Sequence, residues 1–105
     1  MKQYILNEAG KPVEAPDLLT WGRWMENDSA RRVVCTEFDG GYVSTVFLGL
    51  DHAFTNGPPV LWETMIFGGP NDGYQDRYTS REDAERGHQK AVARCCGSIT
   101  RRVSK

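Results

Sequence analysis

The chain has 105 residues, of which 39% are hydrophobic and 26% charged, a size and composition that fit one globular domain and exclude collagen-like, disordered and two-core classes. The 13 basic and 14 acidic residues leave a net charge of −1, which argues against a nucleic-acid partner because such binding needs a broad basic field. The longest apolar runs, of about four residues, are far shorter than the roughly 20 residues of a membrane span, so we expect no membrane partner.

The N-terminal segment and the cysteines predict a cytoplasmic protein. The first eight residues, MKQYILNE, turn polar before the apolar core of a signal peptide could form. Cys35, Cys95 and Cys96 are odd in number, and a disulfide between the adjacent pair would be strained. We therefore expect reduced thiols and a protein that stays in the compartment where it is made.

The first third of the chain predicts a hairpin followed by a helix. Residues 3–6 and 11–13 are strand-like and flank the turn residues 7–10. Asp17 can cap a helix that extends to about residue 27, and its apolar stripe consists of Leu18, Trp21 and Met25. Trp24 and Leu19 lie off this stripe.

The middle of the chain predicts four antiparallel strands, over residues 31–38, 42–50, 60–67 and 74–78. The sequence Asp39-Gly40-Gly41 between the first two is a strong hairpin signal. Residues 42–50 are apolar at both alternating sets of positions, which predicts a central strand. Glu63 is the polar exception on one face of the third strand.

A last helix is predicted from Thr79 to Gly97. Thr79 and Glu82 match a capping box. The buried stripe that follows contains Ala84, His88, Ala91, Val92 and Cys95. Ala84, Gly87 and Ala91 are small enough to let this helix approach the sheet closely. The expected fold is a two-layer α+β domain over residues 1–97, with both helices on a four-stranded antiparallel sheet beside a short N-terminal hairpin. Residues 98–105 carry a net charge of +3, against −4 for the rest, and are expected to form a basic, solvated tail.

Four side chains are candidate ligands or acid/base groups: Asp51, His52, Glu63 and His88. Together they could form a divalent-metal site or the centre of a small hydrolase, although their spacing matches no metal motif. A structural interpretation is the alternative. It makes His88 a hydrogen-bonded core residue, lets Asp51 and His52 organise a loop, and pairs Glu63 with an arginine.

Aromatic residues suggest a binding surface instead. Phe54 lies in the predicted loop 51–59, where nothing nearby requires a large apolar side chain. It could contact a partner or fold back onto the core. Trp62 and Tyr78 lie near the ends of the adjoining strands and would extend such a surface. The candidate binding residues are therefore Asp51, His52, Phe54, Trp62, Glu63, Tyr78 and His88.

Two segments carry a resemblance to a known family. Residues 44–54 read STVFLGLDHAF and residues 57–69 read GPPVLWETMIFGG, and Asp76-Arg77-Tyr78 and Glu85-Arg86-Gly87-His88 follow. Over residues 4–93 the chain resembles a family of small bacteriophage and prophage proteins. The resemblance implies expression in the cytoplasm of a bacterial host and an accessory role, such as binding a host protein or a small signalling molecule to blunt a defence system.

These observations favour a non-catalytic binding module whose partner is a host protein or a small nucleotide-like ligand, with no cofactor. The hydrolase described above is the alternative, and a structural or oligomer-forming phage component is the second. A homodimer is also expected, because strands that are apolar on both faces in so short a chain need a cover on each face.

Overall fold

A four-stranded antiparallel sheet, with its strands in chain order, forms the centre of the protein. The computed structural model describes residues 2–53 and 56–103, with side chains as far as residue 95. Its elements are β1 (Tyr4–Leu6), β2 (Pro12–Glu14), α1 (Leu18–Met25), α2 (Asp28–Arg31), β3 (Arg32–Phe38), β4 (Gly41–Phe47), β5 (Trp62–Phe67), β6 (Gln75–Tyr78) and α3 (Arg81–Val103). Strands β1 and β2 form a separate hairpin, and the main sheet has the order β3-β4-β5-β6. The predicted α+β fold is confirmed.

Helix α3 covers one face of the main sheet. It contacts all four strands, and Ala84, Gly87 and Ala91 are buried against them, as their small size predicts. The core has two apolar clusters under the helix. Phe47, Leu61, Trp62 and Ala84 form one, and Val43, Ile66 and Ala91 form the other.

Helix α1 packs beside the first cluster, on the same side of the sheet as α3. The ring of Trp24 meets that of Phe47 edge-on at 5.6 Å, and the indole N–H of Trp21 donates to the carbonyl of Gly49 at 3.0 Å. A Cβ at Gly49 would lie 2.6 Å from the Met25 sulfur, and the φ of this residue is +79°. Glycine at this position therefore lets α1 reach the sheet.

Several predicted details of the helices were wrong. Leu18 is 65% exposed, because the second half of α1 makes the contacts with the core. Asn27 begins a second, four-residue helix by accepting a hydrogen bond from the Ala30 N–H. The cap of α3 is Ser80 rather than Thr79, since the Asp83 N–H donates to the Ser80 hydroxyl.

Helix α3 also continues beyond its predicted end. Gly97 lies inside a helix that extends to Val103, so residues 98–103 are helical rather than a frayed tail. A single glycine in a helix costs only about 1 kcal/mol, and no proline follows it.

The other side of the main sheet, here called the open face, carries the alternate side chains of each strand. Register places these in three rows across the strands. The first row is Glu37, Tyr42 and Phe67, the second is Cys35, Ser44, Met65 and Gln75, and the third is Arg32, Val46, Glu63 and Arg77. A bulge between Arg32 and Val34 turns both Val33 and Val34 toward the helix side.

Candidate functional site

The loop between β4 and β5 is closed at its base by one carboxylate. The Asp51 side chain accepts hydrogen bonds from the backbone N–H groups of Ala53 at 2.9 Å and Val60 at 3.0 Å. The backbone N–H of His52 donates to the Val60 carbonyl at 3.0 Å. Hydrogen bonds from Ala53 and then Val60 lower the pKa of the Asp51 carboxyl. The expectation that Asp51 organises the loop is confirmed.

Replacing Asp51 with alanine should loosen this loop without unfolding the sheet. The N–H groups of Ala53 and Val60 would lose their shared acceptor, so we expect their amide hydrogens to exchange with solvent on the order of tenfold faster. Amide hydrogen exchange followed by NMR measures this rate. Asp51→Asn keeps an acceptor oxygen and should stay close to the wild-type rate; equal rates in wild type and Asp51→Ala would contradict the assigned role.

Two depressions flank the closed loop. One, of about 440 Å³, is lined by His52, Pro58, Val60, Arg77 and Thr79, among others. The other, of about 260 Å³, lies between Asp51, Asn56 and Pro59 of the loop and the N-terminal Lys2 and Tyr4. The larger depression combines a guanidinium, an imidazole and a hydroxyl with apolar carbon. Groups of this kind can hold an anion that is attached to an apolar body.

Glu63 lies on the open face, where it pairs with Arg77. Its carboxylate accepts hydrogen bonds from the Arg77 guanidinium at 3.0 Å and the Gln75 amide at 2.6 Å. The predicted pairing of Glu63 with an arginine is confirmed. Since Arg77 also lines the depression, its orientation is set by an acidic neighbour.

The other predicted binding residues are not gathered at the loop. Trp62 is 2% exposed in the core, and His88 is fully buried beneath α3. Tyr78 is partly buried on that same side. Phe54 lies outside the described residues. Of the seven candidates, the structure places only Asp51 and His52 together at the loop, while Glu63 lies on the open face and reaches the depression only through its partner Arg77.

The four proposed metal or acid/base groups do not converge. Glu63 points from the open face, whereas His88 is buried on the opposite, helix-covered face. Among the described residues, no three histidine, cysteine, aspartate or glutamate side chains are placed to share a metal ion. The arrangement that the hydrolase hypothesis requires is therefore not formed by these residues.

A buried polar row that the sequence analysis missed crosses the main sheet between the two core clusters. The His88 Nδ1 and the Thr45 hydroxyl are 2.7 Å apart, and the His88 Nε2 and the Thr36 hydroxyl are 2.8 Å apart. Thr45 also hydrogen-bonds Thr64 at 2.5 Å. His88, Thr45 and Thr64 are all 0% exposed. The available signal was the presence of Thr45, Thr64 and His88 at positions whose periodicity marks them as core.

Tyr78 extends this row onto the last strand. Its hydroxyl is buried and makes no hydrogen bond of normal geometry to the described side chains and backbone, although it interacts with the Thr64 hydroxyl. Burial raises the pKa of Tyr78, opposed in part by the neighbouring Thr64 hydroxyl. Burial lowers the pKa of His88. Burial therefore favours the neutral form of both groups. Each of the four strands contributes one hydroxyl beneath α3, from Thr36, Thr45, Thr64 and Tyr78.

The geometry of the polar row indicates a structural role. A neutral imidazole has one donor and one acceptor nitrogen, and here each nitrogen meets one hydroxyl. Because these atoms are sealed between helix and sheet, a ligand could reach them only if α3 moved. The expectation that His88 is a hydrogen-bonded core residue is confirmed.

Comparison of the chain with protein-family models, with curated proteins and with solved structures finds no match. Within the part of the chain that the structure describes, no helix combines the length and apolar character needed to cross a membrane.

Proposed function

We propose that this chain is a phage accessory protein that acts in the cytoplasm of its bacterial host as a non-catalytic binding module. Its contact site would be the loop 51–60 with the larger depression beside it. The observation that supports this most is the Asp51 carboxylate, which fixes both ends of the loop beside a depression that His52 and Arg77 line. A loop held at its base is preorganised, and binding then costs less conformational entropy.

The lining favours an anionic partner. Arg77 and His52 are donors that suit phosphate or carboxylate oxygens, and Pro58 and Val60 provide apolar contact for the rest of the ligand. An acidic segment of a host protein and a nucleotide-like molecule both present this chemistry. In an infected cell, the partner would be a host component, including one that belongs to antiphage defence.

Substituting His52 should weaken binding and leave the fold intact. We expect His52→Ala to reduce the affinity for the anionic probe about tenfold or more, because an imidazole N–H that can donate to the anion is lost. Calorimetric titration with ATP and with a poly-glutamate peptide measures the direct interaction. A pull-down from host lysate, compared between wild type and His52→Ala, identifies a protein partner.

The matched control is Gln89→Ala, at an exposed position on α3 away from the loop. Phe54→Ala is a second test variant, chosen from the sequence. Melting temperatures of all variants should stay near that of the wild type. The proposed site would be contradicted if His52→Ala left the binding of both probes and of lysate proteins unchanged. It would also be contradicted if the wild type bound neither the probes nor any lysate protein.

A further inference from the structure

The open face leaves apolar side chains in water. Tyr42 and Phe67 stack with their ring centroids 4.9 Å apart, yet they remain 41% and 37% exposed. Met65, in the second row, and Val46, in the third row, are partly exposed on the same face. The hairpin and helices α1 and α3 all pack against the opposite face of the sheet, which carries the core. These four side chains form a partly exposed apolar patch among the charged residues of the open face, as at a protein–protein contact surface.

We propose that a second copy of this chain covers the open face, in a symmetric dimer whose sheets stack face to face with their strands running in opposite directions. The two-fold axis would cross the strands along the middle row, which contains Cys35, Ser44, Met65 and Gln75. This surface shares Arg77 with the depression beside the loop, but Glu37 and Arg32, on which the arrangement is tested, lie outside the proposed ligand site.

Charge distribution selects this arrangement over its alternative. Rotation about an axis across the strands places the first row of one copy over the third row of the other. Glu37 then faces Arg32 of the second copy, and Tyr42 faces its Val46. Phe67 meets the Glu63–Arg77 ion pair, whose guanidinium can stack on the ring.

Rotation about an axis parallel to the strands is less favourable. It would place β3 over β6, so that Arg32 of one copy faces Arg77 of the other. Two like charges at such a contact are repulsive. The antiparallel arrangement matches opposite charges along β3 at both symmetric ends of the interface.

The size of the open face predicts a reversible dimer. Four strands span roughly 19 Å and the three rows about 17 Å with their side chains, so two stacked copies bury on the order of 1,000 Å². This area is at the lower limit for specific association. We therefore expect monomer and dimer to exchange in the micromolar range.

Charge exchange between positions 32 and 37 tests the arrangement. Sedimentation equilibrium of the full chain from roughly 1 to 500 µM should show the mass rising from 11.8 kDa toward twice that value. Glu37→Arg and Arg32→Glu should each weaken the dimer about tenfold or more, since each creates a like-charge contact. The double variant should regain most of the wild-type affinity.

The control is Lys90→Glu, a charge reversal at an exposed position on α3, which should leave the dimer unchanged. Circular dichroism checks that every variant is folded. A chain that stays monomeric over the whole range overturns the proposal, as does a dimer that neither single reversal weakens. A double variant that is no tighter than the single variants overturns the antiparallel arrangement.

Discussion

Replacing His88 with leucine should lower the free energy of unfolding by about 3 kcal/mol, although leucine is apolar and similar in volume. The substitution removes both partners of the imidazole and leaves the hydroxyls of Thr36 and Thr45 to find others beneath α3. Each buried polar group left without a partner costs about 1–3 kcal/mol. Thr45 retains its hydrogen bond to Thr64, so the total cost is smaller than that of two hydroxyls left without any partner.

The pH dependence of stability distinguishes the role of the imidazole from simple packing. Because burial lowers the pKa of His88 below the ordinary value of 6.5, the unfolded chain binds a proton first as the pH falls. The contribution of His88 is therefore complete above about pH 7.5 and is lost as the pH falls through 6.5 toward the lower pKa of the folded protein. Asp17 and Asp51, whose carboxyl pKa values are also lowered, lose their contributions only at more acidic pH.

Thermal melts at pH 7.5, 6.5 and 5.5 measure both effects. The wild-type melting temperature should fall across this range, and that of His88→Leu should start lower and change less. His88→Gln, which retains a donor and an acceptor, should recover part of the stability at pH 7.5 and show the same reduced pH dependence. Parallel pH profiles for wild type and both variants would contradict the buried, neutral state of His88.

Introducing a methyl group at Gly87 should be almost as damaging. A Cβ at this position would lie 2.1 Å from the Tyr78 hydroxyl and 2.3 Å from its ring carbon Cζ. Either the helix or the aromatic ring must then move, and overpacking of this kind costs about 1–3 kcal/mol. We expect Gly87→Ala to lower the melting temperature by about 5–15 °C, despite the better helix propensity of alanine.

Gly22→Ala is the matched control, because a Cβ in the middle of α1 would meet no atom within 4 Å. There the same change should stabilise the protein by up to about 1 kcal/mol. A double-mutant cycle with Tyr78→Leu supplies the second test. The cost of Gly87→Ala should shrink when the ring is absent, and an equal cost in both backgrounds would show that the ring is not the obstacle.

Much of the fold follows from residue patterns alone. Alternation in β4 and β5 marks Val43, Phe47 and Ile66 as core residues, and short-range signals such as Asp39-Gly40 place the hairpin between β3 and β4. Small residues in α3 predict its close approach to the sheet. These signals come from residues that are close together in the sequence, so they can be recognised without knowing the tertiary contacts.

The candidate site was harder to predict because it depends on which face the helices cover. Alternation separates Glu63 from Trp62 and Thr64, yet both faces of the sheet carry apolar residues. The pattern of alternation therefore does not show against which face of the sheet His88 packs. Only the packing of α3 shows that Glu63 and His88 are on opposite faces and that threonines Thr45 and Thr64 are the partners of the imidazole.

The order of the strands has a consequence for how the chain folds. Each strand of the main sheet pairs with its neighbour in sequence, so the sheet is assembled from short-range contacts that close small loops. The contact between Thr36 and His88, by contrast, joins positions 52 residues apart. During synthesis the strands leave the ribosome before α3, so we expect the apolar side that α3 covers to be exposed until the helix docks. We expect the nascent protein to be most prone to aggregate during that interval.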